Sequence, residues 1–94
     1  METMQMLNDS TTLAIRPGCR LQWEPRQNAW VLLFPEGMVQ LSDTAHLILN
    51  LCRQPIRITE VVSQVEALFP GEAVADDVRD FLGDAYHEQW IELH

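Results

Sequence analysis

Few residues in this chain of 94 are equipped for chemistry: Cys19 and Cys52, the histidines 46, 87 and 94, some serines, and a dense set of carboxylates between Glu72 and Glu88. A metal site needs ligands at short fixed spacing, such as paired Cys or paired His on one turn or one helix face. The sequence holds no CxxC and no HxxxH, and His46 and Cys52, six apart, would leave a helix from nearly opposite sides. A nucleophilic enzyme needs a Ser or Cys in a recognisable setting beside a base, and none occurs here. The residues therefore read as non-enzymatic, without cofactor or metal, and the two cysteines as buried free thiols.

The carboxylates carry more information. Asp76, Asp77, Asp80, Asp84 and Glu88 stand against a single Arg79 on what reads as one helix. The whole chain has 14 acidic residues against six basic ones, a net charge of −8, and every basic residue is Arg. That balance argues against nucleic acid and anionic membranes as partners, and favours a basic or amide-rich one.

These groups must be positioned by something, and the organising stretch is Ala29–Leu41. Ala29 to Phe34 is apolar at every position, as in a central strand covered on both faces. Pro35-Glu-Gly37 turns the chain, and Met38–Leu41 reads as a second strand with no charge and no proline. Sheet edges are normally guarded by such residues, so this edge is open to another strand. Cys19 to Glu24 alternates, with Cys19, Leu21 and Trp23 on one face, and completes a three-stranded antiparallel meander. Trp23, Trp30 and Phe34 are expected in the core.

Three helices follow. Ser42 offers an N-cap, and Ala45, Ile48, Leu49 and Cys52 form one helical face that ends before Pro55. Ile58, Val61, Val62, Val65 and Leu68 repeat the spacing up to Pro70-Gly71; Val74, Val78, Phe81, Leu82 and Ala85 repeat it again. Trp90 to Leu93 reads as a packed tail or short strand. The expectation is one α+β domain over residues 13–94, winged-helix-like, with residues 1–12 as a flexible N-terminal arm. No signal peptide is visible and no apolar run approaches a membrane span of roughly 20 residues, so the expected location is cytoplasmic.

Ile15-Arg-Pro-Gly18, Arg20-Leu21, Arg26, Trp30-Val-Leu-Leu33, Pro35-Glu-Gly37, Ala45, Ile48-Leu49, Cys52, Asp77-Val78 and Phe81-Leu82 occur in an order and spacing that resemble the PqqD family of pyrroloquinoline quinone (PQQ) biosynthesis. The resemblance runs from about Leu13 to Leu93. It implies a non-catalytic peptide chaperone, a precursor-peptide recognition element that binds the ribosomal precursor and presents it to a radical SAM enzyme. It also implies where the peptide lies: between the third strand, here Met38–Leu41, and the third helix, here about Val74–Tyr86. Two departures fall in turns: Arg53-Gln54 where the family commonly has Asp-Gly, and Gln89 where it tends to have Gly.

The two readings meet at one surface. An added peptide strand would pair with the backbone of Met38, Val39, Gln40 and Leu41. Val74 and Val78 would supply apolar contact, and Asp76, Asp77 and Asp80 attraction for a basic or amide-rich peptide. The same edge lets two copies pair, or exchange strands about Pro35–Gly37, so the expectation is a monomer that dimerises at high concentration. Two other classes stay open at this point: a catalytic subunit of the same pathway, and a dimeric winged-helix interaction or regulatory protein.

Overall fold

The computed structural model describes residues 7–94. Residues 1–6, the first half of the expected arm, lie outside the described residues. The second half of that arm is bound to the domain. Thr12–Ile15 forms strand β1, so the boundary expected after Thr12 falls inside a strand. The carbonyls of Thr11 and Asp9 accept the N–H groups of Ile58 at 2.9 Å and Thr59 at 3.0 Å. Those donors open a helix and have no partner within it, which is why the segment is held.

The remaining elements are β2 (Arg20–Glu24), β3 (Ala29–Phe34), β4 (Gly37–Leu41), α1 (Asp43–Leu51), β5 (Ile56–Arg57), α2 (Ile58–Leu68), α3 (Ala75–His87) and β6 (Ile91–Leu93). The expected α+β meander followed by three helices is present, with strand order β2-β3-β4 and antiparallel pairing throughout. A second antiparallel sheet, β5-β1-β6, joins the two ends of the chain.

Register explains the core. Leu32 lies between Leu21 and Val39, and Trp30 between Trp23 and Leu41, so one face of the meander is apolar across all three strands. α1 lies against this sheet. Ser42 caps it, with Oγ accepting the Ala45 N–H at 3.1 Å, and so starts the helix directly after β4. Such a cap contributes about 1 kcal/mol, whereas each fully buried Leu or Ile contributes about 1.5–3 kcal/mol. Leu13, Leu32, Leu49, Leu82 and Ile91 are all at most 1% exposed, so burial outweighs the cap in holding the layers together.

Three expected core residues differ. Trp23 is 43% exposed because β2 is the outer strand of its sheet; it meets Trp30 edge-on at 5.6 Å. Leu68 turns out to solvent, and Phe69, next on the helical stripe, packs inward in its place. Cys19 is half-buried while Cys52 is fully buried, and both are free thiols.

Just past the end of α3 stands Gln89, whose φ of 64° is left-handed. The Gln89 N–H donates to the Tyr86 carbonyl at 3.0 Å and the Trp90 N–H to the Ala85 carbonyl at 2.9 Å, the bonding of a glycine-type helix cap. The turn therefore keeps its shape although a side chain stands where the family tends to have Gly.

Candidate functional site

Among the described residues β4 pairs with β3 alone, and no backbone group of Met38, Val39 or Gln40 bonds outside that sheet. The closing pair of the hairpin is Phe34 with Gly37, joined by Pro35-Glu36. A connection of that length closes on a hydrogen-bonded pair. Alternation then aims Val39 and Leu41 at β3, and turns the N–H and C=O of Met38 and Gln40 outward.

Across a cavity from the start of this edge lies the end of α3. This helix packs chiefly on α2 and β6, while α1 is the helix against β4. Of the cavities that border α3, one lies beside its N-terminal half and another at its C-terminal end. The first, of about 310 Å³, opens among α1, α2 and α3 beside Ser42, with walls from Ile48, Phe69, Val74 and Phe81 and with Asp77 at the rim. The second, of about 510 Å³, opens between the start of β4 and the end of α3; Met38, Val39, Phe34 and Trp90 line it with Arg16, Glu36 and Glu88.

The nine residues expected to touch a peptide divide accordingly. Met38 is 46% exposed and Gln40 is exposed on the edge, Val39 is half-buried, and Leu41 is only 8% exposed, within the core. Val74, Asp77 and Val78 line the first cavity, although Val78 is only 2% exposed and belongs mainly to the core. Asp76 and Asp80 line neither cavity; the carboxylate of Asp76 stands in solvent 3.4 Å from Arg79. Helical spacing puts Asp77, Phe81, Asp84 and Glu88 in one stripe along the groove, with Asp76 and Asp80 off it. Phe81 was legible as the stripe's aromatic member; Arg16 and Trp90 reach the groove only through the pairing of β1 with β6, which no local pattern shows.

One titratable side chain of α1 faces the sheet and lines neither cavity. The His46 imidazole stacks on Trp30 at 3.8 Å and 8°, and its buried Nε2 has no hydrogen-bond partner among the described residues. Burial, then the nearby Arg53, lowers its pKa against a smaller opposing effect of Asp43. Its role is to pack α1 against the sheet. No cluster of three metal-binding side chains occurs among the described residues, and no helix there is long and apolar enough to cross a membrane.

Comparison with known proteins settles the lineage. Residues 29–91, from the central strand to the last, match the family model described as coenzyme PQQ synthesis protein D (PqqD). The chain belongs to the PqqD family. A relative called PqqA binding protein in Azotobacter vinelandii is 45% identical over 94% of this chain and 95% of its own length. One of the same description in Methylococcus capsulatus is 38% identical over 90% and 91%. PqqA binding protein 1 of Pseudomonas putida is 46% identical over 83% of this chain and 87% of its own. The fold agrees as well: the solution structure of the PqqD truncation of Methylobacterium extorquens PqqCD, described as a stand-alone recognition element for ribosomally made, modified peptides, superposes with a TM-score of 0.75 at 20% identity, covering 93% of this chain and 95% of that one. The PqqD family is thus the frame in which the open β4 edge and its groove are to be understood.

Proposed function

We propose that this PqqD-family protein is a non-catalytic peptide chaperone of PQQ biosynthesis. It captures the precursor peptide PqqA as an added strand on β4 and presents it to the radical SAM enzyme of the pathway. The observation that carries this reading is the outward backbone of Met38 and Gln40 beside the cavities that border α3. Main-chain pairing there gives affinity, and side chains entering the two cavities give selectivity. The relatives described as PqqA binding proteins cover nearly the whole chain, and so support PqqA as the ligand. The acidic stripe of α3 raises the encounter rate with basic peptides and loses that effect in salt. The protein works in the cytoplasm as a monomer, with edge-paired or strand-exchanged dimers at high concentration.

Titration calorimetry with synthetic PqqA tests the reading. Saturable binding, with PqqA unchanged in mass after incubation, supports a binder without turnover. Absence of binding, or a chemically altered peptide, overturns it. Sedimentation over a dilution series reads the oligomeric state, and a ternary complex with the radical SAM enzyme that forms only with peptide present reads the handover.

A further inference from the structure

Of the six arginines, all within the described residues, only Arg16 is half-buried; the other five are exposed. It opens a tight turn in which the Cys19 N–H donates to the Arg16 carbonyl at 3.0 Å, and Gly18 takes the left-handed φ of 95°. Pro17 and Gly18 are the residues such a turn requires. The Arg16 N–H is fixed to the Trp90 carbonyl at 3.0 Å, and its Nε to the Gln89 carbonyl at 2.6 Å. The side chain is therefore held by the cap of α3 at the Met38 end of the groove.

A guanidinium has five N–H donors, and among the described residues Arg16 uses one. Glu36 and Glu88 line the same cavity, yet neither comes within 4.0 Å of it. Arg16 lines this cavity with Phe34, Met38 and Trp90, and lines a second opening with Tyr86, Ile91 and Glu92; its remaining donors can make charge-assisted bonds to a carboxylate that enters the former. The two glutamates make that space unattractive to a free anion.

We propose that Arg16 is a specificity-determining residue of the groove, receiving a side-chain carboxylate of the added peptide at the position beside Val39. This rests on strand addition to β4. Because side chains alternate along a strand, the peptide residue that meets Arg16 and the apolar one that enters the cavity at Ser42 share a face and are separated by an even number of positions.

The test uses C-terminally amidated PqqA peptides, so that the terminal carboxylate is removed, each with one Asp or Glu changed to its amide. Each is titrated into the native protein and into Arg16→Gln and Arg16→Lys. One peptide substitution is expected to weaken binding to the native protein about tenfold. Arg16→Gln weakens it similarly, and the two together do no more than either alone. Arg16→Lys, which keeps the charge without the fork, restores only part of the loss, and carries the cycle if circular dichroism shows Arg16→Gln unfolded. Free glutamate at millimolar concentration leaves binding unchanged. Additive losses at every acidic position, or competition by free glutamate, overturn the assignment. Amide exchange separates the two readings: protection of Met38–Leu41 by the peptide without coupling sinks Arg16 alone, whereas no protection sinks strand addition with it.

Discussion

Arg79 grips Asp9 through two parallel bonds, Nε to Oδ1 at 3.0 Å and Nη2 to Oδ2 at 3.1 Å. The pair ties the segment before β1 to the outer side of α3, away from the groove. The Arg79 guanidinium holds the Asp9 carboxyl below its ordinary 3.8. A depressed carboxyl adds stability that is present above its unfolded pKa and lost as pH falls through the folded one. Both groups are exposed, so screening leaves little of it. Asp9→Asn is expected to lower Tm by about 0–4 °C at pH 7, and by less below pH 3 or in 1 M salt, as thermal melts would show.

The two parities of β4 predict opposite outcomes for proline. Gln40→Pro removes a donor that points away from β3, so the fold survives and PqqA binding falls. Val39→Pro removes a donor of the β3–β4 ladder, which sheets tolerate poorly away from an outward edge, so the protein melts early. Circular dichroism and calorimetry on both variants check the assignment; a stable, fully binding Gln40→Pro protein would count against it.

Neighbours on α3 also part company. Leu82 is fully buried, and Leu82→Ala is expected to cost about 2–5 kcal/mol, a large share of the roughly 5–15 kcal/mol of a whole domain. Phe81 is half-buried and lines the groove, so Phe81→Ala weakens peptide binding more than it destabilises the fold. Urea titration and calorimetry on the pair separate the two effects.

Burial pushes the Cys52 thiol up from 9.0 to about 12. Between those values the unfolded chain has lost a proton that the folded one retains, so stability falls as pH rises. The slope from one group is about 1.4 kcal/mol per pH unit. Cys52→Ala is expected to flatten the decline of stability above pH 9, measured by denaturation at pH 8 and pH 10. Thiol reagents at pH 8 reach Cys19 first and Cys52 only on unfolding.

Gln89 holds a left-handed conformation that a side chain opposes by about 1–2 kcal/mol. Gln89→Gly should raise Tm by a few degrees while leaving the carbonyl that anchors Arg16 in place.

Much of this was legible in the sequence. An all-apolar Ala29–Phe34 announced a central strand, and the uncharged Met38–Leu41 announced its neighbour at the edge; β3 and β4 hold those places, although Val31 and Leu33, on the face away from α1, lie outside the main core cluster. The second sheet was not legible. β5 and β6 are two and three residues long, too short to show an alternation, and Leu13 pairs with Leu93 across almost the whole chain. The period of α3 picked out its apolar stripe but could not separate Val78, bound into the core, from Val74 at the groove. Nor could charge alone tell Asp77 at the rim from Asp76 and Asp80 in solvent. That distinction depends on where α2 and β6 dock, which is decided by contacts remote in sequence.

The carbonyl of Thr12 accepts the N–H of His94 at 2.8 Å. The opening of β1 and the residue after β6 are thus practically touching, and a tether of a few residues would weld them into a ring. New ends could then be cut at Pro70-Gly71, a solvent-facing bend between α2 and α3. A circular permutant made this way would keep both hairpins intact and offer engineers a second place from which to hang cargo.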